Sequence, residues 1–344
     1  MAITAAEWNQ TNMHKPAAAL ALRCTVFLII LITGCAATKP EVVPEEIFHR
    51  SRDYVIYQFK QGDSAASIAG KFLGDPQKAW IIEDANERLF PGQYVVVPLK
   101  LKNKGGIYSD GIQEVPILCY HRFGNGCDSP LCVSAQLFDR QMRYLHNHGY
   151  RIISPEQLLA FLEYREPLPK KAIMITIDDG YRSVYDVAYP ILKKYGYSAT
   201  LFVYTNYVGV SSKAISWKQL QELKSNGFTI GSHTIMHSDL SKQGEHESDE
   251  AYDQRLRREL FDAKKILDRK LNQDTFFFAY PFGRVNTTAM TMAGKAGYRL
   301  AVTVNRGGNA FFANPFLLKR DQILKKDMRT FITRLKTFES LSLR

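Results

Sequence analysis

Cysteine is scarce, with five in 344 residues, too few for a disulfide scaffold in a chain of this length. No 20–50-residue period repeats, which excludes a solenoid or propeller. The apolar run at residues 24–32, CTVFLIILI, is too short to span a bilayer as a helix. Dense Lys/Arg runs are missing, as is any zinc-finger or basic-zipper spacing, so nucleic acid is a weak reading. Charged residues make up 23% and hydrophobic residues 45%, ordinary globular usage that excludes wholesale disorder.

What the chain does have is positive charge and aromatics. Lys and Arg number 45 against 34 Asp and Glu, for a net charge of +11. That balance favours anionic neighbours such as membrane headgroups or an acidic cell-wall polymer. Twenty Phe and 18 Tyr supply at least one large core, and the length suggests roughly two domains.

Lys15 and Arg23 precede the apolar run, and Thr33-Gly34-Cys35 follows it, the layout of a secretory signal. A buried hydrophobic helix, or a signal cut elsewhere, is the alternative, and Met13 is a second possible start. Ile32-Thr33-Gly34-Cys35 resembles a bacterial lipobox, which implies a signal at residues 1–35, lipidation of Cys35 and export to the cell envelope. Ala36 rather than Asp after the cysteine implies the outer membrane, facing the periplasm, in a Gram-negative cell. In such an oxidising compartment Cys127 and Cys132, in GNGCDSPLCVS, form a disulfide or remain two surface thiols. Cys119, in an apolar strand, is expected to be simply buried.

A tether is expected at residues 36–53. Residues 54–99 read strand, helix, helix, strand, with a turn at Gln61-Gly62-Asp63 and a closing YVVVP. Through Gly62-Asp63-Ser64, Ile68-Ala69, Asn86, Gly92 and Val97-Pro98 this unit resembles a LysM module, which implies peptidoglycan as a partner. A nondescript α+β spacer is the other reading. Residues 100–113 look like a linker. Across residues 114–344, strand signals at 115–120, 172–177, 199–204, 228–230, 275–279, 300–304 and 316–319 alternate with helical ones. Ser154 with Gln157 and Ser216 with Gln219 form capping boxes. Phe138, Met142 and Leu145 share a helix face, Met328 through Phe338 trace another apolar stripe, and 241–274 reads as one long helix. The alternation argues for an α/β parallel sheet or barrel.

Candidate reactive groups follow the strands: His121, then Asp178-Asp179-Gly180, His233 with His237, Tyr280-Pro281-Phe282-Gly283, and Arg320-Asp321. In a barrel the C-terminal strand ends converge on one face, where active sites are built. Adjacent carboxylates at the end of an apolar strand are costly unless a cation or a proton relieves them. A lone DDG is most often a turn and a lone HxxxH is a weak metal signal. Together, two imidazoles and one carboxylate make the three-ligand set of a catalytic metal, and the second carboxylate is left as a base. Trp217, Tyr207 and Phe282 either stack on sugar rings or pack as core and rim.

Thr176-Ile177-Asp178-Asp179-Gly180, His233-Thr234-Ile235-Met236-His237 and Ala279-Tyr280-Pro281-Phe282-Gly283 resemble the three leading motifs of the polysaccharide deacetylases. The stretch thus resembles the NodB-homology domain of carbohydrate esterase family 4. The resemblance covers about residues 115–324 and implies a distorted (β/α) barrel that removes N-acetyl groups from a GlcNAc polymer. It implies Asp178 as the base, one divalent metal (Zn, with Co or Ni as alternatives) on Asp179, His233 and His237, and the Phe282 amide at the oxyanion. The third motif usually opens with an Arg that braces the base, where this chain has Ala279. A subgroup resembling the poly-β-1,6-GlcNAc deacetylases shares that lack and carries a YH motif, matched by Tyr120-His121. His121 is then the acid for the leaving amine, since every histidine lies at or before His246. Arg320 is the candidate replacement for the missing charge, with Tyr280, Pro281 and Asp321 as substrate or support residues. An O-acetyl esterase and a degenerate glycan-binding barrel are the rival readings.

Overall fold

The computed structural model describes residues 46–124, 129–324 and 327–341. The lipobox with Cys35, the signal, and Cys127 lie outside the described residues. Among the described residues, no helix is long and apolar enough to cross a membrane.

The first unit is a three-stranded antiparallel sheet, β1 (Ile47–Arg50), β2 (Tyr54–Gln58) and β3 (Tyr94–Pro98), with β2 central. Helices α1 (Ala65–Leu73) and α2 (Ala79–Ala85) lie between β2 and β3 in the chain. Val55 and Tyr57 alternate inward with Val95 and Val97 and meet Ile68, Ala69 and Ile82 in a single small core. Ser64 and Ser67 cap α1 reciprocally, and Gly74 ends it in the left-handed region at φ 72°. Asn86 fixes the exit of α2, donating to the Ile82 and Val96 carbonyls and accepting from the Val96 amide. The stretch read as tether is therefore partly ordered: β1 pairs with β2, and Glu46 binds Lys60 and Lys71. The stretch read as linker also pairs, with 107–108 and 111–113 forming a small sheet with 338–340.

The second unit is a parallel sheet of short strands. It contains β4 (Ile117–Tyr120), β5 (Ala172–Ile177), β6 (Thr200–Val203), β7 (Thr229–Ser232), β8 (Phe277–Ala279), β9 (Leu300–Val302) and β10 (Asp321–Gln322). The spatial order is β9-β8-β7-β6-β5-β4-β10. The last segment closes the ring, because Leu318 bridges Val302 while Asp321 pairs with Leu118. This is a distorted (β/α) barrel. The strand expected at 316–319 is displaced. Asn314 caps a turn there, and the two-residue β10 begins only at Asp321.

Helices α3 (Ala135–Asn147), α4 (Pro155–Leu162), α5 (Tyr189–Lys194) and α6 (Trp217–Ser225) form part of the outer layer. Both expected capping boxes are present, at Ser154–Gln157 and Ser216–Gln219. The expected long helix begins only at Ser248, its N-cap. It runs as α7 (Asp249–Arg257), a π-turn (Arg258–Asp262) and α8 (Ala263–Leu271). After α9 (Thr287–Lys295), the C-terminal stripe gives only a short α10 (Met328–Ile332). Phe331 and Leu335 are buried, whereas Phe338 sits in the strand at 338–340, so a single helix face never forms.

Candidate active site

Strand alternation sets the site. Successive side chains point to opposite faces, so Met174 belongs to the barrel interior while Ile173, Ile175 and Ile177 pack under the helices. Thr176 and Asp178 continue the Met174 phase. Cys119 on β4 and His121 just after it follow Ile117 inward, and Ala279 follows Phe277 on β8. Gly231 on β7 is required here, because a Cβ would meet the Phe202 ring at 2.5 Å.

Two trios of side chains result, Asp179 with His233 and His237, and Cys119 with His121 and Asp178. Within each, the potential ligand atoms lie within 4.8 Å of one another. Asp179 Oδ1 is 3.6 Å from His233 Nε2 and 3.5 Å from His237 Nε2. His233 donates its Nδ1 proton to the Ala279 carbonyl at 2.7 Å, which leaves the Nε2 lone pair facing Asp179. Burial pushes the His233 imidazole down to about 3 and lowers that of His237 as well, so both are neutral at pH 7. Burial pushes the Asp179 carboxyl up to about 6. Acceptors therefore face acceptors, an arrangement that a cation between them relieves.

The segment joining the histidines is held from behind. Glu259, buried in the π-turn, accepts the Ile235 and Met236 amides at 2.9 Å each, and Thr234 Oγ1 accepts the His237 amide at 2.9 Å. Asp179, Thr234, His237 and Phe282 all adopt positive φ, between 59° and 75°. Left-handed backbone at non-glycine residues costs about 1 kcal/mol or more each, and it is concentrated at this rim.

The surroundings of Asp178 are equally well defined. Burial alone would raise Asp178, but the Arg320 guanidinium holds its carboxyl far below the usual carboxylate range. Arg320 is fully buried. Its two terminal nitrogens donate to Asp178 Oδ1 and Oδ2 at 2.7 Å each, and Nε donates to the Thr303 carbonyl at 2.8 Å. The guanidinium missing at Ala279 thus arrives from the segment that closes the barrel. His121 is only 8% exposed, and its Nδ1 has no hydrogen-bond partner among the described residues. The Cys119 thiol points to Asp178 Oδ2 at 3.5 Å; its position two residues before His121 on one strand already placed it on the inner face.

An aromatic wall leads outward from His237. Tyr204 lies 5.3 Å from His237 and stacks on Tyr207 at 5.1 Å, and Tyr181 meets Tyr207 edge-on at 5.6 Å. Phe282 is 56% exposed and packs edge-on against His237 at 4.7 Å. Other expected residues lie elsewhere. Trp217 sits in the helical layer with Lys270 Nζ 5.8 Å above its ring. Tyr280 is fully buried against Phe278 on the outward face of β8, and Pro281 is buried beside it. Asp321 is one residue out of phase with Arg320, so it points away and pairs with Arg306 and Arg334. Cys132 is disulfide-bonded.

A closed parallel barrel carrying an Asp-Asp pair and two neutral histidines at its C-terminal rim is the layout of a hydrolase. The Polysaccharide deacetylase family model matches residues 165–301. YxkH of Bacillus subtilis (strain 168), named among the polysaccharide deacetylases, is 32% identical over 210 residues, covering 61% of this chain and 71% of that protein. The poly-beta-1,6-N-acetyl-D-glucosamine N-deacetylase of Staphylococcus aureus (strain MRSA252) is 27% identical over 193 residues, 55% of this chain and 66% of that one. The structure of the Streptococcus pyogenes deacetylase PplD in complex with acetate superposes with a TM-score of 0.60 at 33% identity. It covers 65% of this chain and 98% of that one. The chain belongs to the polysaccharide deacetylase family.

Proposed function

We propose that this protein removes N-acetyl groups from a GlcNAc-containing polysaccharide of the cell envelope, with a divalent metal on Asp179, His233 and His237. The observation that carries the reading is the division of labour between adjacent carboxylates. Asp178 is locked in its ionised form by Arg320, and Asp179 faces two neutral imidazoles. Mixed nitrogen and oxygen donors in a set of three suit zinc, with cobalt or nickel as substitutes. Such an ion supplies Lewis acidity and a water of lowered pKa.

The rest is done by the chain's own groups. A carboxylate has about four acceptor sites, so Asp178 can hold the Arg320 fork and still take the proton from the attacking water. Water adds to the acetyl carbonyl, the Phe282 amide donates to the charge developing on its oxygen, and His121 protonates the nitrogen as the C–N bond breaks. Acetate and a free amine leave. The staphylococcal relative's name supports an N-acetyl substrate. The LysM-like unit is proposed to hold peptidoglycan, and Cys35 to carry the lipid anchor to the outer membrane. An O-acetyl ester would fit the same groups and is distinguished by comparing N-acetylated with O-acetylated oligosaccharides.

Acetate release from a GlcNAc oligosaccharide tests the metal. It should stop after chelation and return with about one equivalent of Zn²⁺ per chain, whereas full activity in chelator would refute the reading. Affinity for that ion should also fall with acidity. Asp179 must lose a proton to bind, and with its carboxyl at about 6, metal affinity should drop about tenfold per pH unit below that point. It should level off above it, as isothermal titration across pH 5–8 would reveal (about the range of His and carboxyl titration).

A further inference from the structure

We propose that the cleft beside the metal rim is a subsite for an anionic substituent, carboxylate or phosphate, on the sugar next to the one deacetylated. The inference rests on the deacetylase reading and names its substrate class: an acidic glycan in preference to a neutral GlcNAc polymer. The cleft encloses about 510 Å³, and its lining includes Arg122, Tyr181, Arg182, Asp186, Tyr207 and Lys213. It continues the aromatic wall that starts at His237, so a chain seated over the metal runs into it.

Its charge is unbalanced. Arg182 pairs with Asp186 at 3.1 Å, but Arg122 and Lys213 have no carboxylate within ion-pair distance among the described residues. Arg122 is nevertheless fixed, with its guanidinium 4.0 Å from the Tyr181 ring centroid and one terminal nitrogen donating to the Tyr181 hydroxyl at 2.6 Å. These two contacts position the guanidinium, its other N–H groups have no hydrogen-bond partner among the described residues, and its fork matches a carboxylate or phosphate. The floor is rigid as well. Tyr181 bridges Ala214, the Arg182 amide donates to the Lys213 carbonyl at 2.8 Å, and Ile215 donates to Gly180 at 2.9 Å. The loop bearing Lys213 is thereby tied to the Asp-Asp-Gly turn itself. Two cations with no ion-pair partner among the described residues, on a backbone tied to the Asp-Asp-Gly turn, raise the local concentration of anions, in keeping with the chain's charge of +11.

The experiment compares kcat/KM of the metal-loaded full chain on three oligosaccharides of equal length. One is a neutral GlcNAc oligomer, one carries a lactyl carboxylate on the neighbouring sugar, and one carries a phosphate there. A charge-assisted hydrogen bond is worth about 1.5–3 kcal/mol, so an anionic substrate should exceed the neutral one by about tenfold or more, mainly through KM. Preference for one anion alone identifies the source, and preference for both identifies the charge. The anionic-to-neutral ratio should fall toward one in Arg122→Gln and in Lys213→Gln, and in the parent as salt rises. Equal rates on all three substrates, or a ratio untouched by either variant, would overturn the subsite and leave the deacetylase reading standing. No acetate from any substrate would instead remove the deacetylase reading.

Discussion

Asp178→Asn should lower acetate release by about 100-fold or more while the protein still takes up about one metal ion. The substitution preserves shape and removes the carboxylate proposed to accept the water's proton. It also leaves the fully buried Arg320 without its counter-charge. Breaking a buried pair by removing one partner costs about 3–5 kcal/mol, although the Asn oxygen retains one of the two hydrogen bonds. Denaturant unfolding and metal content must therefore be measured on the same preparation. A folded, metal-loaded variant with activity within a few-fold of the parent would remove Asp178 from the role of base.

Arg320→Leu attacks the same pair from the other side and should destabilise the fold by about 3–5 kcal/mol at pH 7. Here the effect has a pH signature. Burial raises Asp178, and the Arg320 charge is what brings it far down. In the parent, that depressed carboxyl contributes stability that is fully present above the ordinary carboxylate range of about 4 and is lost only as pH falls below it. Without the guanidinium, the carboxyl should protonate at higher pH, so the acid limb of kcat should move upward. Arg320→Lys should restore charge but not the fork, and recover part of both stability and rate. A Leu variant with the parent's unfolding midpoint and pH profile would contradict the bracing role.

The barrel and its rim were largely legible because period-two alternation and motif spacing act over short distances. The run Ala172–Ile177 is a strand with those bounds, and the reactive groups after β4, β5 and β7 do converge. What escaped depends on contacts between segments far apart in the chain. Nothing local marks Glu259 as the group holding the amides between His233 and His237. It is one acidic residue in a charged helix, and only the π-turn rotates it inward. Tyr280 and Asp321 lie next to residues of the site in the chain, but successive residues in extended backbone face opposite ways, and each points outward. Arg320, one residue before Asp321, faces inward to Asp178 for the same reason. Residues 47–50 read as tether because a four-residue edge strand has too few positions to register a period, yet pairing with β2 orders them.

The most direct test of the central claim is the mass of a defined β-1,6-linked GlcNAc oligosaccharide after incubation with the metal-loaded protein, beside an O-acetylated, N-unsubstituted control. The account predicts stepwise loss of acetyl groups from the first, with new primary amines, whatever the control loses. An unchanged GlcNAc oligosaccharide together with a deacetylated control would contradict it, and would assign the same residues to an ester instead of an amide.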